Sequence, residues 1–491
     1  MASFCSLLPK MKILSDSGPS SIPKKPIYQL IEEGMQDPRI QEMYDAVKRG
    51  ENVFATGCAG AGKSYAMRIV LAKLSGEKWE VACTAATGTA SVPYSEMRLQ
   101  GKTVHSWAGL GKEEHTAEEI ISYMANNRMK CEAIKAARVL GIDEISMISA
   151  ETLELLDKVL KGVRQKPAPF GDLRVIFSGD FMQLPPVSSQ TKPRRMAYKS
   201  LLWERMNFHY ITFDTPYRFQ RDLQFYEMIK RARMGELTNE DKDKLISRLH
   251  EYNSSETDIK PTNLFPLRHQ AKMLNQKELT KLPGDEKIYH AQDAYITKKS
   301  GKFVNMAAIP IWGGRLLKDA AKKNLKLKIG AQVMVTKNLG SGIVNGTLGV
   351  VVELGLSTVD VKLLDGRIVL IGEYKHEILL NKTDALHRFQ LPLILAYALT
   401  VHKAQGSSLD LVCIDIGPKI FAPGQAFVAL SRARTLEGVY LKSFDPKSMR
   451  ADTDAKVFVK KIEMTKSSGA SGVSQAEDEE QPPLKKLRVQ L

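Results

Sequence analysis

The sequence predicts an α/β protein of two lobes, each built on a parallel β-sheet, with a small antiparallel barrel inserted into the second lobe. Three observations carry that expectation. Short, nearly continuous apolar runs alternate with helically spaced stretches; the same alternation returns late in the chain; and hairpin punctuation replaces it in between. A chain of 491 residues is too long for one compact domain.

The elements follow in order. Asn52–Thr56 is a short apolar run entering a glycine-rich turn. From Lys63 to Leu74 apolar residues recur at helical spacing (Met67, Val70, Leu71, Leu74), and Gly76 stops the helix. Val81–Ala85, Val139–Ile142, Arg174–Phe177 and Tyr210–Phe213 read as further buried strands. Leu395–Thr400, Leu411–Ile416 and Gly438–Ser443 form the second series. Between the series lie Gln332–Thr336, Thr347–Glu353 and Val359–Leu363, punctuated by Asn345-Gly346 and Asp365-Gly366, dipeptides favoured in tight hairpins.

Both ends read as disordered tails, because neither has the apolar content to bury a core. The first is rich in Ser, Pro and Lys; its opening MASFCSLLPKMKIL is either a weak organelle-targeting peptide or a plain disordered start. The second runs through a Ser/Gly spacer and an acidic block to the basic Pro483–Arg488. The formal charge of +16 points to a polyanionic partner or to a merely basic enzyme. Five scattered cysteines without a C-x-x-C pair argue against structural zinc or a disulfide framework. No apolar run approaches the length of a membrane span.

The chemistry begins at Gly57-Cys-Ala-Gly60-Ala61-Gly62-Lys63-Ser64, which fits G-x-x-x-x-G-K-[ST] between a strand and a helix. Its backbone N–H groups are suited to curl around the phosphates of ATP at the positive end of the helix. Lys63 would reach the β- and γ-phosphates, and the Ser64 hydroxyl would ligate Mg²⁺. Val139-Leu-Gly-Ile-Asp143-Glu144 ends a buried strand in two carboxylates. Asp143 is placed for the Mg²⁺ shell, and Glu144 is the candidate base for the attacking water. Gln183, in Ser178-Gly-Asp-Phe-Met-Gln-Leu-Pro-Pro, would sit on a proline-stiffened loop and sense the γ-phosphate.

Phosphoryl transfer needs positive charge aimed at that phosphate. Arg432, in Val428-Ala-Leu-Ser-Arg-Ala, and Arg218, in Pro216-Tyr-Arg-Phe, are the candidates, with Arg434 a competitor. Thr400-Val-His-Lys-Ala-Gln-Gly406 places a polar cluster where a strand meets a loop, suited to touching nucleic acid backbone and cleft together. Trp107, Phe181 and Tyr217 are either stacking aromatics for a DNA track or core residues.

Together these segments resemble the petite-integration-frequency ("Pif-one") helicase family of superfamily 1B, beside RecD. The marks are TAATGTA (84–90), TVHSWAGLG (103–111), IDEISM (142–147), PFGDLRVIFSGDFMQLPPV (169–187), TVHKAQGSSLDLV (400–412) and GQAFVALSRARTLEGVYLKSFDP (424–446). The resemblance runs from about Arg39 to Pro446. It implies two RecA-like P-loop NTPase lobes, dependence on ATP and Mg²⁺, and 5′→3′ movement on single-stranded DNA. It also implies an adenine-reading role for Gln41, and a DNA path lined by Thr84, His105, Ser106, His402, Lys403 and Gln405. On the same footing, domain 1A spans 29–214 with a small wedge hairpin (1B) at about 90–103. Domain 2A spans 215–275 and 382–465, domain 2B with an SH3-like barrel spans 276–381, and the tails are 1–28 and 466–491. Asp172 stands where the family commonly has a second glycine, a departure that bears on the shape of that loop.

The function expected is an ATP-dependent helicase acting on single-stranded DNA and duplex junctions. It would serve replication, recombination or repair as a monomer, with replication or repair proteins as partners. A strand translocase that displaces proteins without efficient unwinding shares every catalytic residue. A P-loop loader that does not translocate, and RNA as the track, are further alternatives. The basic block at Pro483–Arg488 resembles a nuclear import signal, with a mitochondrial location as the alternative.

Overall fold

The computed structural model describes residues 26–110, 115–125, 127–186, 194–249, 259–265, 268–297, 303–304, 317, 321–340, 343–379, 384–404, 408–418, 420 and 422–469. The Pro483–Arg488 block, Gln405 and nearly all of the expected tails lie outside them. The Ile27–Gly34 helix begins just inside the first expected tail.

The first lobe is a six-stranded sheet of β1 (Val53–Gly57), β2 (Val81–Ala85), β3 (Gly101–Thr103), β4 (Val139–Asp143), β5 (Arg174–Ser178) and β6 (His209–Phe213). Their order is β3-β2-β4-β5-β1-β6, and every pairing is parallel. Strands β1 and β4 are buried at every position, which is why they read as unbroken apolar runs. One face packs Met67, Val70, Leu71 and Leu74 of the Lys63–Gly76 helix with Met43 and Val47 of the Pro38–Arg49 helix. The other packs the Ala150–Arg164 helix and an aromatic group of Phe54, Phe177, Phe181, Trp203 and Phe208.

The second lobe carries a four-stranded parallel sheet in the order Ala398–Thr400, Thr262–Phe265, Val412–Ile416, Val439–Phe444. Between its first two strands in sequence lies a five-stranded antiparallel sheet made of Ile368–Gly372, Thr358–Leu363, Leu348–Leu354, Gln332–Val335 and Leu393–Leu395. The expected hairpin signals sit at its turns, with Gly346 and Gly366 both at positive φ. A second antiparallel sheet, Phe303–Val304, Gln292–Thr297, Asp384–Gln390 and Tyr374–Leu379, lies beside it. Its strands carry too many charged residues to stand out as apolar runs.

Two expectations need correction. Residues 90–103 form no hairpin: Val92–Met97 is a 3₁₀ turn, and Gly101–Thr103 joins the parallel sheet as its edge strand. Pro93 removes a ladder donor, and the burial of Tyr94, Met97 and Leu99 folds the segment onto the lobe. Residues up to 465 are expected in the second lobe, and the last of them form the Thr453–Gly469 helix. Instead it returns to the first, where Ala455, Val459 and Ile462 enter the core and Phe458 stacks on Tyr198. Among the described residues no helix is long and apolar enough to cross a membrane.

Candidate nucleotide-binding site between the lobes

The site is built where β1 ends. Gly57 closes the strand, Ala61 is fully buried, and Gly62 caps the Lys63–Gly76 helix with φ of 89°. Gly60 has φ of 77°, and a Cβ there would lie 2.6 Å from the Cβ of Arg218. Only glycine lets this turn curl while a second segment rests on it. The Lys63 ammonium points into the loop, donating to the carbonyls of Gly57 (3.0 Å) and Cys58 (2.9 Å). Burial pushes its pKa down, and the carboxylates of Asp180 and Glu144 oppose that shift.

Ser64 Oγ donates to Asp143 Oδ1 at 3.0 Å, joining the helix start to the end of β4. Burial pushes the Asp143 carboxyl up, while the bond from Ser64 pulls it down. One hydroxyl and one carboxylate are hard oxygen donors, and Mg²⁺ takes few protein ligands beside phosphate oxygens and water, so the pair fits that ion. Among the described residues no cluster of three or more His, Cys, Asp or Glu could hold a metal. Glu144, next along, has φ of 56°, a left-handed conformation that costs a non-glycine residue energy. Such strain clusters where a side chain must be aimed.

Gln183 is buried in the turn after β5, where its backbone N–H donates to the Asp180 carbonyl at 2.9 Å. The second lobe meets this turn directly. A Cβ on Gly424, which caps the Gln425–Leu430 helix, would lie 2.5 Å from the Met182 carbonyl oxygen and 2.7 Å from that of Gln183. Cys58, Ala59 and Leu184 of the first lobe share one buried cluster with Phe219, Phe225, Phe427 and Leu430.

Both candidate arginines reach this seam. The backbone N–H of Arg218 donates to the Gly60 carbonyl at 3.3 Å, while its guanidinium donates to Ser408 Oγ and the Ser431 carbonyl, each at 2.8 Å. Arg432 is 2% exposed and donates to the carbonyls of Val428 and Ala404 and to Ser431 Oγ. Burial, then the nearby Arg432 charge, holds Arg218 well below the usual arginine pKa. Burial holds Arg432 at about 10, with the Glu144 carboxylate across the cleft opposing the shift. Arg434, the competitor, instead pairs with Asp410 at 3.1 Å.

The remaining expected residues sort by burial. Gln41, on the Pro38–Arg49 helix, donates to Asp45 at 2.9 Å. Near it, Tyr217 donates to Asp37 at 3.2 Å, and its ring lies 3.0 Å from a Cβ built on Gly62. Tyr217 is half exposed beside the phosphate loop, whereas Trp107 and Phe181 are core residues. Thr84 is fully buried and donates to the Gly141 carbonyl at 2.7 Å, so its side chain is held within the sheet. Ser106 is exposed and His105 half-buried at the C-terminal edge of that sheet. His402 and Lys403 lie on the Val401–Ala404 turn of helix. Asp172, at the position that departs from the family, has φ of 65°, so the loop keeps a glycine-like conformation. Its carboxylate pairs with Lys166 at 2.7 Å.

Sequence reasoning missed the Asp180–Arg233 ion pair, in which Arg233 Nε and Nη2 donate to the Asp180 carboxylate at 2.8–3.1 Å. An aspartate in so apolar a loop was a signal that a buried partner existed.

A phosphate loop, a hydroxyl–carboxylate pair and two arginines, Arg432 buried and Arg218 partly so, facing it from a second parallel-sheet lobe define a two-lobed protein of the P-loop class. The chain belongs to the PIF1-like helicase family: that family's sequence model matches residues 35–243, and the DNA helicase Pif1 2B-domain model matches residues 317–354. The ATP-dependent DNA helicase Pif1 of Bdellovibrio bacteriovorus is 31% identical over 434 residues, covering 87% of this chain and 92% of that protein. The human ATP-dependent DNA helicase PIF1 is 33% identical over 412 residues, 83% of this chain; the match spans 60% of the human protein. Among solved structures, Pif1 helicase from Candida albicans matches with a TM-score of 0.65 and 30% identity, covering 87% of this chain and 99% of that one. Unliganded Pif1 from Bacteroides sp matches with a TM-score of 0.68 and 25% identity, covering 89% and 97%.

Proposed function

We propose that this chain is an ATP-driven DNA helicase that moves 5′→3′ on single-stranded DNA, with ATP hydrolysed in the cleft between its lobes. The observation that carries the reading is the convergence of the buried Lys63 and Arg432 with the partly buried Arg218, all held below their ordinary pKa by desolvation. Desolvated cations brought together in this way are stabilised by an anion, and a triphosphate supplies one. Relatives named ATP-dependent DNA helicases support the choice of reaction. A Bacteroides Pif1 solved in complex with ADP-AlF3 and ssDNA, 25% identical, supports the choice of track.

In this reading the backbone N–H groups of 57–64 hold the phosphates, and Lys63 turns from the Gly57 and Cys58 carbonyls to the β- and γ-oxygens. Ser64 and Asp143 would hold Mg²⁺, which supplies neutralising charge to those oxygens when bound. Glu144 orients and deprotonates the attacking water, Gln183 contacts the γ-phosphate, and Arg218 and Arg432 stabilise the charge that develops on it. Gln41 and the half-exposed Tyr217 flank the place where adenine emerges. Because both arginines are tied to the second lobe, hydrolysis loosens the closed cleft, and the lobes part. His105 and Ser106 on one lobe, with His402, Lys403 and Gln405 on the other, would carry that motion to the strand. The enzyme works as a monomer, and the basic Lys485-Lys486-Leu487-Arg488 directs it to the nucleus.

One observation favours a second reading, a translocase that separates strands poorly: residues 90–103 fold back onto the sheet. Unwinding of matched 5′- and 3′-tailed duplexes with ATP decides between them. The helicase reading expects unwinding of the 5′-tailed duplex alone. Unwinding of the 3′-tailed duplex alone would reverse the polarity. Failure on both, with ATP-dependent displacement of streptavidin from a single strand, would establish the translocase.

A further inference from the structure

Asp180 and Arg233 form an ion pair for which the chemistry above has no use. Asp180 is fully buried in the turn after β5, and Arg233 is 8% exposed near the end of the Leu223–Met234 helix. Arg233 Nε lies 3.1 and 3.0 Å from the two carboxylate oxygens, and Nη2 lies 2.8 Å from Oδ1. A buried charge pair is a poor source of stability, because desolvating both ions consumes most of their attraction. Its value lies in geometry, since a two-pronged guanidinium grip fixes orientation as well as distance.

What it fixes is the turn that carries Gln183. Asp180 Oδ1 accepts the backbone N–H of Met182 at 3.1 Å, and the Asp180 carbonyl accepts that of Gln183 at 2.9 Å. The carboxylate also opposes the fall that burial imposes on the Lys63 pKa. On the other side, Arg233 belongs to a helix whose Phe225, Met228 and Ile229 are core residues of the second lobe. Gly235, which caps that helix, abuts Met449 and Ala451, the link into the Thr453–Gly469 helix, whose Glu463 adds its field at Arg233. One pair therefore joins the turn bearing Gln183 to the second lobe and to the helix that returns from it.

We propose that Arg233 is a positioning residue for ATP hydrolysis: its grip on Asp180 holds Gln183 in register with the second lobe, so that the γ-phosphate contact and the lobe arrangement change together. The inference rests on the helicase reading only in requiring that ATP be hydrolysed. It concerns kcat and not nucleotide affinity, because among the described residues neither side chain hydrogen-bonds to the phosphate loop.

The test is steady-state ATP hydrolysis by the full chain, with a saturating dT oligonucleotide, for Arg233→Met, Arg233→Lys and Asp180→Asn/Arg233→Met. Binding of a fluorescent ATP analogue and thermal melting are measured on the same samples. Arg233→Met is expected to lower kcat by about tenfold or more while KM for ATP stays within about threefold, as for a misplaced group that acts only in the transition state. Arg233→Lys, which keeps the charge without the fork, should recover part of that loss. The double variant should fall no further than Arg233→Met, since the two residues act as one unit. Wild-type kcat in Arg233→Lys and Arg233→Met would overturn the proposal, as would losses that track the folded fraction alone. Should Arg233→Met fail to fold, full kcat in Arg233→Lys overturns it and a reduced kcat at unchanged analogue binding supports it. A wild-type protein that hydrolyses no ATP with the oligonucleotide would instead overturn the helicase reading beneath it.

Discussion

Arg218 Nη1 donates to the backbone carbonyl of Ser431 at 2.8 Å, while the Arg218 backbone N–H rests on the Gly60 carbonyl at 3.3 Å. One residue thus spans from the phosphate loop to the residue beside Arg432. Lysine cannot reproduce a fork that donates to Ser408 and Ser431 at once. Arg218→Lys is expected to lower kcat for ATP hydrolysis by about 10- to 100-fold. Single-turnover kinetics at saturating ATP would check this, with nucleotide affinity measured alongside.

The Thr453–Gly469 helix is held to the first lobe through Phe458, whose ring stacks on Tyr198 at 4.3 Å and meets Phe181 edge-on at 5.6 Å. Phe458→Ala is expected to cost about 2–3 kcal/mol, the low end for a large-to-small aromatic change because the ring is only partly buried. Val457, its exposed neighbour, serves as the control, and Val457→Ala should be nearly neutral. Urea unfolding of both variants would read the difference.

His376 gives the fold an acid-sensitive point. Burial first, then the Lys337 charge, depresses its pKa from 6.5 to about 3. The unfolded chain therefore takes up a proton that the folded chain refuses. The associated stability is fully present above pH 6.5 and is lost as pH falls toward 3. His376→Phe should flatten this part of the stability–pH curve, measured by denaturant unfolding at several pH values from 7.5 to 4. An unchanged slope would mean that the ring titrates normally.

Much of the first lobe was legible because its chemistry and its secondary structure share the same residues. Apolar runs at Val81–Ala85 and Val139–Asp143 are strands because both faces of the sheet are covered, and the phosphate loop sits where such a strand meets a helix. That two-sided burial also explains the Thr84 hydroxyl: in a covered parallel sheet a polar strand residue points into protein, where it needs an internal acceptor. The Thr453–Gly469 helix shows the other limit. Its apolar residues say that it packs, but nothing in its spacing says against which lobe. The Asp180–Arg233 pair bridges 53 positions of sequence: an aspartate in an apolar loop signals a buried partner, but nothing in the sequence says which residue that partner is. Tyr217 was ambiguous for a similar reason, since an aromatic beside a motif serves a core or a ligand equally well until its exposure is known.

The central claim is that one lobe supplies the phosphate loop and the other supplies the charge that stabilises transfer. Its most direct test is ATP hydrolysis by Arg432→Ala with saturating single-stranded DNA, alongside binding of a fluorescent ATP analogue. Among the described residues Arg432 hydrogen-bonds within its own lobe, yet it lies within the field of Glu144. The account predicts retained analogue binding with kcat lowered by about 10³-fold or more. DNA-stimulated hydrolysis at the wild-type rate would contradict it.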